Sequence, residues 1–82
     1  MSFEATQCRA ARALLEWSQA DLEKAAKVAK KTIADFERGI RQPYERTLDA
    51  LQTAFEAAGV QFIPENGGGA GVRLKKPTSE TP

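Results

Sequence analysis

The segment WSQADLEKAAKVAKKTIADFERGIRQP, residues 17–43, constrains the fold more than any other part of the chain because it contains the clearest helix start. Ser18 is a residue type that caps helix N-termini, and Asp21, three residues on, completes an approximate capping box. Trp17 and Leu22 occupy the two positions of a hydrophobic staple around the same start. The pattern predicts a short helix that begins directly after the cap.

A second short helix follows this one after a tight turn at residues 27–29. Ile33 and Phe36 are spaced so that both point inward from it. Gly39 stands where a helix C-terminus favours a positive φ, and Pro43 prevents the helix from continuing. Amphipathic segments lie on either side of these two short helices. The sequence therefore predicts four helices, over residues 4–15, 19–26, 30–38 and 45–58. The apolar stripes of the first and last helices are Cys8, Ala11, Leu14 and Leu15, and Leu48, Leu51, Ala54, Phe55 and Ala58.

The residues after Gly59 change from helical to extended character. Residues 60–63 and 72–75 each favour a β-strand, and the glycine-rich residues 65–71 between them favour a flexible turn. An isolated two-stranded hairpin is marginal in water, so this one must pack on the helices or pair with another chain. We therefore predict a mainly α fold, a four- to five-helix bundle with a short C-terminal β-hairpin. The predicted divisions are a helical domain that folds without the hairpin (1–59), a hairpin for dimerisation (60–76) and a disordered tail (77–82).

Composition excludes several classes of function. The chain has 82 residues, a net charge of +1 and 41% hydrophobic residues, as expected for one small folded domain. It contains no histidine and a single cysteine, Cys8, so it has no imidazole catalyst, disulfide framework or thiol metal site. The apolar runs are too short for a membrane span, and residues 1–20 lack the apolar segment of a signal peptide. We expect a cytoplasmic protein that is not an enzyme and binds no metal, cofactor or small-molecule ligand.

Positive charge is concentrated around the second short helix. Six lysines and arginines lie between residues 24 and 41, against two carboxylates, Asp35 and Glu37. A basic helix after a tight turn is the arrangement by which small proteins place a helix in the DNA major groove. The alternative for these lysines is a solvated helix face, which their spacing alone also favours.

Over about residues 7–58 the chain resembles the lambda-repressor-like helix-turn-helix family, the Cro/C1 or Xre type of bacterial regulators. The resemblance rests on a spaced series of signs: RAARALL at residues 9–15, Trp17-Ser18-Gln19 with Leu22, Val28, Thr32-Ile33, Glu37-Arg38-Gly39, Pro43, and Thr47-Leu48 with Leu51. The C-terminal GVQFIPENGGGAGVRLKK also looks like an extension seen on some small members of this family.

The resemblance implies DNA contacts from Gln19, Lys30, Lys31, Thr32, Asp35, Arg38 and Arg41. Gln19 looks like the family's phosphate-contacting glutamine. The side chains on the outer face of the third helix would meet base edges or phosphates, the lysines at guanine and Asp35 at cytosine N4. Arg38 and Arg41 would contact phosphates. Asp35 is equally well explained by solvation, and Thr32 by packing at the helix border.

The resemblance also implies a structural ion pair between Arg12 of the first helix and Glu37 of the third. Three positions depart from the family's pattern. Lys27 stands where glycine is usual, so it is expected near the left-handed region at some cost. Ala29 and Tyr44 stand where small polar caps are usual, and losing a cap costs on the order of 1 kcal/mol.

Two functions from different classes follow from the sequence. The first is a sequence-specific DNA-binding transcriptional regulator, a repressor or autoregulator, that binds a palindromic operator as a homodimer. The hairpin residues predicted for its interface, as an inter-subunit sheet or an apolar patch, are Val60, Phe62, Val72 and Leu74. The alternative is a protein-binding module on the same fold, an antitoxin or antiactivator, which the near-neutral net charge and Asp35 favour. DNA binding weakens steeply as salt rises, whereas an apolar protein contact does not.

Overall fold

The computed structural model describes residues 3–65 and 67–75. Over these residues the chain forms four helices followed by one antiparallel hairpin: α1 (Ala5–Leu15), α2 (Gln19–Ala26), α3 (Lys30–Glu37), α4 (Glu45–Ala57), β1 (Val60–Ile63) and β2 (Gly71–Leu74). The predicted mainly α fold with a C-terminal hairpin is confirmed. The tail predicted at 77–82 lies outside the described residues. No described helix combines the length and apolar character needed to cross a membrane.

Five predicted boundaries move by one residue. Glu4 has an extended backbone and is the N-cap of α1 rather than its first residue. Arg38 and Ala58, predicted as the last residues of α3 and α4, are their C-caps. The second strand begins one residue earlier than predicted, at Gly71, so Lys75 follows it.

The core lies where the four helices and the hairpin meet. Its buried apolar residues are Phe3, Cys8, Ala11, Leu22, Ile33, Phe36, Leu51, Phe55, Val60 and Phe62. Trp17 packs against this core and stacks on Phe55 with the ring centroids 5.8 Å apart, consistent with its staple position. Leu14 was predicted on the inward stripe of α1 but is 39% exposed. It lies about 120° around the helix from Cys8, at the edge of the buried face.

The hairpin belongs to this core. Val60 and Phe62 are 2% and 8% exposed, and the Phe62 ring lies edge-on to Phe3 with the centroids 5.2 Å apart. These two side chains are therefore not free to form the predicted apolar patch, because the strand face that carries them is turned to the core, and the predicted interface through an inter-subunit sheet stays a prediction. On β2, Val72 is partly buried against the core and Leu74 is 49% exposed.

Gln7 of α1 ties the hairpin to the helices. Its side chain is buried, and Oε1 accepts a hydrogen bond from the Glu4 backbone N–H at 2.9 Å. Its Nε2 donates to the Gly71 carbonyl oxygen at 3.2 Å. One buried amide thus caps the start of α1 and holds the start of β2 against it.

The turn between α2 and α3 carries the strain expected of its sequence. Lys27 adopts a left-handed conformation with φ of 59°, which costs a residue with a Cβ roughly 1–2 kcal/mol. Ala29 provides no side-chain cap to α3. Instead, the Glu23 carboxylate of α2 accepts a hydrogen bond from the Lys30 N–H at 3.3 Å. The missing cap is therefore replaced in part from the preceding helix.

Candidate nucleic-acid interface

Defined residues start α2 and form the turn between α2 and α3, and together they set the direction of α3. Ser18 Oγ accepts from the Asp21 N–H at 3.0 Å, and Asp21 Oδ2 accepts from the Ser18 N–H at 2.9 Å. The predicted capping box is therefore formed at the start of α2. Leu22, in the same turn of helix, is fully buried and anchors α2 to the core.

Helix α3 buries one side and leaves the other to solvent. Ile33, Phe36 and Glu37 are its buried residues. On the opposite side, Lys30 and Lys31 are exposed, while Thr32 and Asp35 are half-buried. Of the four α3 residues that the sequence predicted to contact DNA, Lys31 and Asp35 lie at the centre of this outer face, and Lys30 and Thr32 lie at its two edges.

One ion pair lies on this outer face. Lys31 Nζ is 3.2 Å from Asp35 Oδ2, one helical turn away, and the Lys31 side chain is 85% exposed. A surface pair at this spacing contributes only about 0.3–0.5 kcal/mol, so Lys31 can exchange Asp35 for a phosphate or base at little cost. In the described part of the chain, no carboxylate lies within ion-pair distance of Lys30, Arg38 or Arg41.

Glu37, on the inner side of α3, is the centre of a buried hydrogen-bond network. The Arg12 guanidinium binds its carboxylate in two places, Nη2 to Oε1 at 2.7 Å and Nε to Oε2 at 2.8 Å. Gln19 Nε2 donates to Oε1 at 3.0 Å, and the Cys8 thiol donates to Oε2 at 3.1 Å. Glu37 therefore does not offset the positive charge of the outer face, although its place in the sequence suggested that it would.

The titration of these groups follows from their contacts. Burial raises the pKa of Glu37, but the hydrogen bonds from Arg12, Gln19 and Cys8 outweigh it and hold the pKa below the usual carboxyl value. The hydrogen bond to Glu37 raises the pKa of Arg12. Burial, with the nearby Glu37 carboxylate, raises the pKa of the Cys8 thiol. Cys8 therefore stays protonated and serves as a donor, not as a nucleophile.

Gln19 belongs to this hydrogen-bond network. Its amide has two N–H groups, and the bond to Glu37 uses one of them. The second N–H and the carbonyl oxygen stay available at the start of α2, where the side chain is half-buried. A phosphate contact by Gln19 therefore has to use the second N–H, because the carbonyl oxygen can only accept, and Glu37 fixes the orientation of the amide.

Arginines of α1 connect the network to both short helices. Arg12 Nη1 donates to the Trp17 carbonyl oxygen at 3.0 Å, immediately before the cap of α2. Arg9 Nη1 donates to the carbonyl oxygen of Glu37, at the end of α3. The resemblance implied the pair of Arg12 with Glu37, but nothing in the sequence pointed to Arg9 and Cys8 as further partners of Glu37. Together these bonds hold α2 and α3 in one fixed relation to α1.

Two short helices joined by a strained turn, with the second presenting a basic outer face, form a helix-turn-helix. A protein-family model described as helix-turn-helix matches residues 9–57, which include most of α1 and all of α2, α3 and α4. The chain belongs to the Cro/C1-type helix-turn-helix family. It is, at this level, a DNA-binding helix-turn-helix regulator. No curated protein matches the chain.

Membership in the helix-turn-helix family assigns roles to the parts of the site. In a helix-turn-helix, the second helix enters the major groove while the first crosses the phosphate backbone. Here α3 is the second helix and α2 the first. The family match ends before the hairpin, so the role of β1 and β2 has to be argued from their own structure.

Proposed function

We propose that this protein is a sequence-specific transcriptional regulator, a repressor or autoregulator, that reads its operator through the outer face of α3. The observation that carries the proposal is the contrast between the two sides of this helix. Its inner carboxylate, Glu37, is only 4% exposed and is satisfied by four hydrogen bonds, so α3 is held rigidly. Its outer lysines extend into solvent, where base edges and phosphates can reach them.

Each residue of the outer face has a chemically suitable target on DNA. Lys30 and Lys31 can donate to guanine O6 and N7, and Asp35 can accept from cytosine N4. Asp35 already forms a weak surface pair with Lys31 before binding. Arg38 and Arg41, beyond the end of α3, suit phosphates, which position the protein without reading sequence.

A second copy of the chain is part of the proposal. One small helix-turn-helix domain buries too little surface for tight specific binding, and two-fold dimers match palindromic operators. The hairpin supports this assembly through strand pairing, which the sequence left open as one of two possibilities. Since the side chains of Val60 and Phe62 belong to the core, the hairpin has to offer its backbone edge instead.

Among the residues that the structure describes, the sheet has two strands, so no third strand pairs with the outer edge of β2. Lys75 N donates to Gly59 O at 2.8 Å, so these two residues form a hydrogen-bonded pair. Bonded and non-bonded pairs alternate along an antiparallel ladder, and the register pairs Val60 with Leu74 and Phe62 with Val72. The N–H and C=O groups of Val72 and Leu74 therefore point away from β1. An edge of this kind is a template for pairing with a second chain.

Leu74→Pro is expected to convert a dimer to a monomer without unfolding the hairpin. The Leu74 N–H faces the outer edge, where proline is tolerated because no internal ladder bond is lost. The same change removes a donor that a second β2 would need. Sedimentation velocity measures the oligomeric state, and circular dichroism checks the fold. Leu74→Val, which keeps the N–H, should stay dimeric, and a dimeric Leu74→Pro would move the interface to the helices.

Lys31→Ala is expected to weaken operator binding roughly tenfold, the loss of one good base contact, with little change in melting temperature. Lys75→Ala is the matched control, because it removes an exposed lysine that follows the hairpin and lies outside the helix-turn-helix. The measurement is fluorescence anisotropy with DNA from upstream of the protein's own gene, against scrambled DNA, over a salt series.

Selective binding with a steep salt slope supports the regulator, because phosphate contacts release counterions. Equal, weak binding to both DNAs would argue against the operator and favour a protein-binding module. A large fall in the melting temperature of Lys31→Ala would show that Lys31 is structural rather than part of the interface.

A further inference from the structure

Glu23 brings a carboxylate of α2 to the start of α3. Its backbone carbonyl oxygen accepts a hydrogen bond from the Lys27 N–H at 2.8 Å, within the turn between the two helices. Its side-chain Oε2 accepts from the Lys30 N–H at 3.3 Å, seven residues along the chain. These two bonds fix the position of the carboxylate. It lies at the first residue of the helix whose outer face is proposed to read DNA.

The charge of this carboxylate is not compensated within the part of the chain that the structure describes. Glu23 is exposed, and it forms no ion pair with any residue of 3–65 or 67–75. Its bond to Lys30 is long for a charged acceptor. An ionised carboxylate has about four acceptor positions, so most of its acceptor capacity stays free at the first turn of α3.

Capping of α3 explains the acceptor but not the charge. Ala29 supplies no side-chain cap, and the first turn of α3 contains no acidic residue, so the Lys30 N–H needs an acceptor from elsewhere. A neutral amide at residue 23 would provide one. The carboxylate instead places a negative charge beside the basic face that is proposed to meet a polyanion.

The position of Glu23 determines what it meets on DNA. In a helix-turn-helix, the N-terminal residues of the recognition helix contact base edges in the major groove. A carboxylate there can only accept hydrogen bonds. Guanine N7 and O6 and thymine O4 are acceptors too, so they repel it. Adenine presents the acceptor N7 beside its amino group, whereas cytosine presents the N4 amino group alone, so cytosine suits a carboxylate best.

We propose that Glu23 is a specificity-determining residue that selects a cytosine in the base pair facing the start of α3. Its carboxylate accepts from the cytosine N4 amino group, and it repels the guanine edge that faces it when the pair is reversed. Repulsion of the wrong partner is a general source of specificity. The inference rests on the proposed function and adds a residue of α2 to base reading.

The test reverses each base pair of the upstream site in turn, after footprinting has located that site, and measures affinity by fluorescence anisotropy. The unchanged protein is expected to lose about tenfold when the C·G pair facing Glu23 is reversed, the usual effect of one wrong base pair. In Glu23→Gln the amide both donates and accepts, so the same reversal should cost much less. The preferences at the other base pairs should not change.

Two further variants complete the test. Glu56→Gln makes the same change of charge at an exposed residue of α4, outside the two helices of the helix-turn-helix, and should keep every preference of the unchanged protein. Glu23→Ala removes the carboxylate without adding an amide and should relax the same base pair as Glu23→Gln. Melting temperatures show that each variant is folded at the temperature of the binding measurement. A side chain that only capped α3 would change the melting temperature without relaxing one base pair.

The contrary results differ from one another. If Glu23→Gln keeps the preference of the unchanged protein at every base pair, the inference is overturned and the proposed function stands. If Glu23→Gln binds all duplexes more tightly by one factor, Glu23 repels phosphates rather than reading a base, and the inference is again overturned. If the unchanged protein does not prefer upstream over scrambled DNA, the proposed function fails, and the inference fails with it.

Discussion

Truncation after Gly59 is expected to abolish cooperative folding of the helices. It removes Val60 and Phe62 from the core and uncovers the rings of Phe3 and Phe55 that pack against Phe62. Burying each lost side chain contributes about 1.5–3 kcal/mol. Their sum is comparable with the roughly 3–5 kcal/mol that a single core supplies in so small a domain.

Urea and thermal unfolding, followed by circular dichroism, measure this loss. A second truncation, after Lys75, is the control because it keeps every contact that the structure describes, and it should unfold like the full chain. A chain ending at Gly59 that melts cooperatively near the temperature of the full chain would show that the helices fold without the hairpin.

The truncation also limits how dimerisation can be studied. If removing the hairpin unfolds the helices, then loss of DNA binding by the truncated chain says nothing about a dimer interface. Leu74→Pro avoids this ambiguity, because Leu74 is half exposed and its N–H lies on the outer edge. The truncation thus tests the burial of the hairpin in the core, and Leu74→Pro tests the outer edge of the hairpin as a dimer interface.

Features that depend on nearby residues were readable from the sequence. The capping box of Ser18 and Asp21 spans three residues, and its bonds are present as expected. Gly39 has φ of 75° at the end of α3, as its place after a helical pattern predicts. Short-range patterns of this kind fixed the number and order of the helices, because capping and helical spacing act within one or two turns.

Features that depend on distant residues were not readable. Gln7 bonds to a carbonyl 64 residues away, and Cys8 bonds to Glu37 across 29 residues. No local pattern encodes such pairs. The alternation in β1 showed that Val60 and Phe62 share a face, but it could not show whether that face meets its own core or a second chain. Tertiary packing determines which of the two this face meets, and in this protein the face packs against the core.

Arg12→Ala is expected to lower the free energy of unfolding by about 3 kcal/mol. Breaking a buried pair by removing one partner costs about 3–5 kcal/mol. The lower end of this range applies here because the Arg12 side chain is 21% exposed to solvent. The loss arises because the buried Glu37 carboxylate keeps only Gln19 and Cys8 as side-chain donors. Urea unfolding measures it. Arg46→Ala, an exposed arginine of α4, is the control and should change stability by less than about 0.5 kcal/mol.

A double variant tests whether the uncompensated charge causes the loss. Adding Glu37→Gln to Arg12→Ala removes the buried charge, so the double variant should be more stable than Arg12→Ala alone. This non-additivity is expected of residues in direct contact. Independent, additive losses from the two substitutions would show that the pair contributes through packing only.

The pH dependence of the free energy of unfolding tests whether protonation of Glu37 destabilises the fold in acid. Its pKa is lowered in the folded chain, so its stabilising contribution is complete above the unfolded carboxyl pKa of about 4.3. That contribution is lost as pH falls through the folded pKa, because the unfolded chain takes up the proton first. In Glu37→Gln no carboxyl titrates at this position, so the free energy of unfolding should fall less steeply on the acid side. Equal acid slopes in the two proteins would mean that other carboxylates control acid unfolding and that the Glu37 network is not its cause.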